Sequence, residues 1–292
     1  RRAHIGFDAT SADFPAILRI CQLVGGVPLA IELAAAWVRT LTCDEITKEI
    51  ERSLDFLQTS TRDIPSRHRS MRAIFDHSWK LLTQDEQKVL QELSTFRGGF
   101  QREAAEQVAG ANISMLSVLI TKSLIRRSGE YRYDLHELVR QYGADRLTDK
   151  TRARNETVRR HALYYLNYFN SRGIPLQSSA QQETVADLTA ELDNFRGAWD
   201  WAINHCEFDR LRQIAKMLWY LFELRTWFEE GEAVFRRTAD AIQSYITGTR
   251  SKSADLEIAN QMRGHAAYFM FRRGDTVAAY DILTNLKTKL PD

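Results

Sequence analysis

Apolar positions recur at intervals of three, four and seven along most of the 292-residue chain, the spacing of amphipathic helices. Phe14, Ile17, Leu18, Cys21 and Val24 form the first stripe. Gly25-Gly26 ends it, because glycine takes the left-handed turn past a helix at little cost. Pro28 then suits the first position of a new helix, where its missing N–H is not needed. That helix reads LAIELAAAWVRTL, is apolar on most sides and is expected to be buried. Thr42 and Glu45 have the Thr-x-x-Glu spacing of a capping box, opening a third helix through Leu54 and Leu57. The polar stretch QTSTRDIPSRHRS breaks the pattern and reads as a linker, with a boundary near Arg62.

Helical spacing resumes with Met71, Ile74, Phe75, Ser78, Leu81 and Leu82 on one face. Thr83 and Glu86 repeat the capping box ahead of Val89, Leu90 and Leu93, and Gly98-Gly99 breaks that helix. A short helix, REAAEQVAG, is followed by SMLSVLITKSL, which runs into a β-like SLIRR. Ser128-Gly129-Glu130 makes a tight turn, and Tyr131, Tyr133 and Leu135 alternate as a strand. Helices followed by a two-stranded hairpin give the order of a winged helix, and HELVRQYGADRL returns to helix.

From about Thr151 the chain is helical again, interrupted by SRGIPLQSSA. Leu188, Leu192, Phe195, Trp199 and Ala202 recur at helical spacing. Two pairs follow, Leu211–Leu224 with Phe228–Ile242 and Leu256–Arg272 with Val277–Leu290. Helix hairpins with a period near 34 residues suggest a tetratricopeptide-like array. In the last pair, Ala267, Ala279, Leu283, Leu286 and Pro291 fall at that repeat's small, small, large, large and proline positions. The expected fold is mainly α: a helical domain over residues 1–61, a winged helix over 62–150 and a tetratricopeptide-like α-α superhelix over 151–292.

Composition narrows the function. Lys and Arg number 40 against 38 Asp and Glu, a net charge of +2 that creates no strong pull on polyanions. The 3 cysteines, Cys21, Cys43 and Cys206, are odd in number and widely spaced, which excludes a disulfide framework and points to a reducing cytoplasm. No apolar run reaches the roughly 18–20 residues a membrane span needs. The start, RRAHIGFDATSADF, has no apolar signal region and no initiator Met, so the chain reads as a fragment.

Catalytic motifs are missing from the sequence. There is no Gly-x-x-x-x-Gly-Lys-Ser/Thr phosphate loop, no Gly-x-Gly-x-x-Gly and no Gly-x-Ser-x-Gly elbow. His and Cys never cluster, so no metal site is expected. Carboxylates are scattered over helix faces, as solvated helix-pairing charges are. The chain on its own reads as a non-enzyme with no catalytic residues and no cofactor.

Two motifs carry a resemblance. GGVPLAIELAAAWVRTL, from Gly25, resembles the Gly-x-Pro motif of the STAND (NB-ARC-like) signalling ATPases, a class that includes bacterial transcriptional regulators. LHELVRQYGADRL, from Leu135, resembles the class's Met-His-Asp motif, with Leu135-His136-Glu137 in place of Met-His-Asp. Between them, SMRAIFDHSWKLLTQDEQKVLQELSTFRGGF is similar to the winged-helix segment of the bacterial members, and AELDNFRGAWDWAI and FEEGEAVFRRT look like the start of their repeats.

The resemblance implies that Pro28 backs an adenine ring and His136 reaches the β-phosphate of bound ADP. It implies ADP or ATP with magnesium as the cofactor of a longer protein, whose phosphate-binding domain is not in this sequence. Partners would be that domain, a protein or peptide on the repeats, and a second copy in the activated state. The expected role is regulatory and sensing, coupling nucleotide state to protein interaction, oligomerisation and transcription control. Alternatives are a DNA-binding winged helix, for which Arg126, Arg127 and Arg132 would touch phosphates, and a repeat scaffold without a switch. DNA contact through this segment is not expected, because SMLSVLITKSL lacks the Arg, Asn and Gln that read base edges. Trp199, Trp201, Trp219, Trp227, Tyr220 and Phe228 are expected to be mostly core, some lining the repeat groove.

Overall fold

A computed structural model describes residues 10–58, 71–129, 131–148, 151–173, 175–248 and 253–287. The chain is mainly helical and divides into two compact units, Arg1–Arg160 and His161–Asp292.

The first unit opens with α1 (Phe14–Leu23), α2 (Pro28–Ala35) and α3 (Cys43–Arg52). Helix α2 stops earlier than the sequence LAIELAAAWVRTL predicts. Ala36–Arg39 tighten into a 3-10 turn, a common ending for an α-helix. Trp37, on this turn, stacks on Phe56 at 4.7 Å and donates its indole N–H to the Phe56 carbonyl at 3.2 Å. The Thr42–Glu45 capping box forms as expected, and two orphan N–H groups at the start of α3 are satisfied reciprocally.

Ile20, Leu23, Val24, Leu33, Ile46 and Ile50 share one core with Met71 of α4 (Met71–Lys80) and with Leu138 and Tyr142 of α8 (Glu137–Thr148). The boundary expected near Arg62 lies outside the described residues. On either side of it the described residues pack into that single core, which is why residues so far apart in sequence fall in one unit.

Helix α5 (Gln84–Leu93) starts at the second capping box, Thr83 with Glu86. Then come β1 (Phe100–Gln101), α6 (Arg102–Ala109), α7 (Ile113–Thr121), β2 (Arg126–Arg127) and β3 (Arg132–Asp134). The strands form an antiparallel sheet in the order β1-β3-β2, with Phe100 opposite Tyr133 and Arg126 opposite Asp134. The hairpin was legible in the sequence and β1 was not, since two residues hold no alternation to read. Gly98 and Gly99 admit the extra strand. Both have positive φ, and a Cβ on Gly99 would lie 2.7 Å from the Tyr133 carbonyl oxygen.

The boundary between the units falls inside α9 (Thr151–Asn170), and the break expected at Lys150 lies outside the described residues. The second unit continues with α10 (Gln181–Ala190), α11 (Leu192–Asn204), α12 (Phe208–Leu224), α13 (Phe228–Gly248), α14 (Ser253–Arg272) and α15 (Thr276–Lys287). Three of its turns use a residue of positive φ, Cys206, Thr226 and Gly274. A chain of buried rings forms the core: Phe169 stacks on Phe195 at 3.8 Å, and Trp199, Phe222, Phe235 and Phe269 continue it. Helices α13 and α14 approach so closely that a Cβ on Gly231 would meet the Phe269 ring at 2.7 Å. The repeat is longer than the expected period because α13 alone has 21 residues. Among the described residues, no helix is long and apolar enough to cross a membrane.

Candidate functional site

The two motifs that stand over a hundred residues apart meet in the first unit. Helix α1 closes through a paired turn. The Gly25 N–H donates to the Gln22 carbonyl and the Gly26 N–H to the Cys21 carbonyl, both at 3.1 Å. Both glycines are left-handed, with φ of 58° and 70°. Val27 is extended and Pro28 takes the first turn of α2, solvent-exposed.

His136 lies between β3 and α8, and its ring rests on Gly25. A Cβ built on Gly25 would fall 1.7 Å from His136 Nε2 and 2.3 Å from Cδ2. Gly25 is therefore required twice over, once for its φ and once for the space the imidazole fills. Local sequence offers the double glycine only as a helix stop; the proximity of this turn to His136 follows from the resemblance alone, which sets Pro28 and His136 on one nucleotide.

The ring's proton is placed by its neighbours. Nδ1 accepts the Leu138 N–H at 3.2 Å, which caps the start of α8 and leaves the neutral ring its proton on Nε2. Nε2 is shielded from solvent and has no hydrogen bond of ordinary geometry among the described residues. The Val24 backbone lies within hydrogen-bonding reach of the ring, and that contact favours the charged form. Burial and the Arg126 charge outweigh that backbone, Asp134 and Glu137, and hold the His136 pKa below its usual 6.5. His136 therefore presents a neutral N–H donor toward the Gly25 turn.

Its surroundings are fixed by polar contacts that sequence reading missed. Glu137 receives Arg140 at 2.7 and 2.8 Å and Gln141 at 3.1 Å. Burial alone would raise the Glu137 pKa, but these bonds lower it, so the carboxylate stays charged. Gln141 also donates to the Ile50 carbonyl at 3.0 Å and the Glu51 carbonyl at 3.3 Å, satisfying the end of α3 from α8. Nearby, Tyr142 donates to Asp76 at 2.6 Å, and Arg146 joins the same carboxylate at 2.5 Å.

The three candidate phosphate-contacting arginines lie on the β2–β3 hairpin with different neighbours. Arg126 is paired with Asp134 at 2.7 Å, and Arg132 donates to the Gly98 carbonyl at 2.9 Å. Arg127 lines an open cleft of about 370 Å³ with Gln101, Arg102, Ile113, Tyr131 and Tyr133. The outward residues of α7, Ser114, Ser117, Val118 and Thr121, carry no charge. Among the described residues, no group of three or more His, Cys, Asp or Glu could hold a metal ion.

In the second unit, Trp199 is fully buried and donates its indole N–H to Thr238 at 3.0 Å. Trp201, Trp219, Trp227, Tyr220 and Phe228 are half-buried, so more of these rings reach the surface than their helical spacing suggests.

The chain is 32% identical over 244 residues to proteins of Mycobacterium tuberculosis and Mycobacterium bovis whose names describe them as candidate HTH-type transcriptional regulators. The match takes in 80% of this chain and 27% of the relative, so the chain spans about a quarter of the length of those curated relatives. An uncharacterized Mycobacterium tuberculosis protein is 28% identical over 165 residues, 52% of this chain and 42% of that protein. No family model and no solved structure matches the chain.

Proposed function

We propose that this chain is the regulatory half of a STAND-type signalling ATPase of the transcriptional-regulator kind. The observation that carries the reading is the seating of the His136 ring on the Gly25-Gly26-Val27-Pro28 turn, which brings the two motifs together. The similarity to regulators named as HTH-type supports the transcriptional part.

The chemistry of these residues is compatible with the nucleoside diphosphate that the resemblance implies. Pro28 is exposed at a helix start, where it can back a flat ring, and Nε2–H of His136 is a donor suited to a phosphate oxygen. Bound ADP or ATP with magnesium would supply the acceptor charge and the two states. His136 would hold the β3–α8 junction against the Gly25 turn, and Gln141 would tie α8 to α3. Losing the His136 bond would loosen the β3–α8 junction from the Gly25 turn, a shift between two populations. The described residues supply these two contacts and no phosphate loop, so the site is completed by another domain of the longer protein.

In this reading the chain is not itself an enzyme and works in the cytoplasm. The helical-hairpin unit takes a protein or peptide partner, and release permits self-association. Direct DNA contact is a weaker reading, because α7 presents hydroxyls and Val118 where base-reading side chains would stand. Calorimetric titration with ADP tests the proposal. The full-length protein is expected to bind at micromolar or lower concentration and this chain alone to give no heat. Micromolar binding by this chain alone would show that the site is complete here, and the proposal would be wrong.

A further inference from the structure

The last helix hairpin leaves uncovered the positions that its predecessor covers. The left-handed turn residues Thr226 and Gly274 align the α12–α13 pair with the α14–α15 pair. Three residues before the turn, Glu223 corresponds to Phe271; six after it, Glu232 corresponds to Tyr280; nine after it, Phe235 corresponds to Leu283. In the earlier pair all three positions touch α14 or the turn that ends it. Glu223 pairs with Arg272, and Glu232 pairs with Arg273. Phe235 is fully buried against His265 and Phe269. In the last pair the equivalents are open to solvent: Phe271 is 57% exposed, Tyr280 70% and Leu283 48%. Val277, 73% exposed, extends the same surface by one turn of helix.

We propose that the face formed by Phe271, Tyr280 and Leu283 receives a further helix of the same array, standing to α15 as α14 stands to α13 and supplied by the same polypeptide. A hairpin that ends such an array carries a polar outer face, because no neighbour shields it from water. This hairpin has the opposite chemistry. Where the previous pair offered two glutamates to arginines at and just past the end of the next helix, this one offers a phenylalanine and a tyrosine, with a leucine beside them. The incoming helix therefore presents apolar side chains at these contacts. Length allows it, since the match covers only 27% of the relatives' sequence.

Cysteine labelling in the full-length protein tests it. Tyr280→Cys and, separately, Leu283→Cys are each compared with the native exposed Cys206 in the same molecule. A maleimide reagent is followed by peptide mass spectrometry, with circular dichroism to verify folding. Both introduced thiols are expected to react at least ~tenfold more slowly than Cys206, because local opening must precede reaction at a covered site. The protection should not change with protein concentration. Reaction as fast as Cys206 at both sites would overturn the proposal. Protection that vanishes on dilution would overturn it too, by assigning the face to a second copy.

Discussion

At the scale of single residues, Gly25 and His136 form one object. The imidazole occupies the volume a Gly25 side chain would need, and the backbone there is left-handed at φ 58°. Gly25→Ala is expected to destabilise the first unit by about 1–3 kcal/mol, the usual range for strain at such a position. It should also push the ring off the turn. Urea unfolding followed by near-ultraviolet circular dichroism measures the first effect, and the Nε2–H proton resonance reports the second. A second histidine sets the acid limit of the other unit. His265 packs between Trp219 and Phe235, and burial pushes its pKa down to about 4. The folded form keeps the ring neutral, while the unfolded chain takes up a proton below about 6.5. Stability from this group is therefore complete above pH 6.5 and declines as pH falls toward 4, by roughly 3 kcal/mol in all. His265→Leu should flatten the stability difference between pH 7 and pH 4.5, read from Trp fluorescence during urea unfolding. An unchanged slope would show that other groups carry the acid sensitivity.

At the scale of elements, α8 does more than end the winged-helix region. Its Leu138 and Tyr142 complete the core of the first three helices, and Gln141 satisfies the carbonyl end of α3. Gln141→Leu removes two donors to Ile50 and Glu51 and should cost about 1–3 kcal/mol, the penalty for leaving buried acceptors unmet. Hydrogen exchange should then quicken at the end of α3, and equal exchange in the variant would contradict this role. Periodicity made the helices legible, and the Thr42–Glu45 and Thr83–Glu86 pairs marked two of the helix starts. What escaped was non-local. The pairing of β1 with β3 depends on two glycines and a partner thirty residues on. The His136–Gly25 contact joins residues whose local sequence says only "helix start" and "helix stop". Five half-buried aromatics looked like core because spacing reveals a helix's apolar stripe and not whether a neighbour covers it.

At the scale of the whole molecule, charge and surface offer a duplex little to hold. The net charge is +2, α7 shows an uncharged outer face, and Arg126 is already held by Asp134. This chain is expected to give no mobility shift with duplex DNA at physiological salt. A shift that weakens steeply with added salt would restore the winged helix as a DNA reader. The central claim, that His136 links this chain to a nucleotide, is tested most directly in the full-length protein. Calorimetry with ADP on wild type and His136→Ala should show affinity falling roughly ten- to hundredfold, the worth of one hydrogen bond to a charged group, while stability in the absence of nucleotide falls by only about 1 kcal/mol for the lost cap on Leu138. Equal ADP affinity in the two proteins would contradict the account.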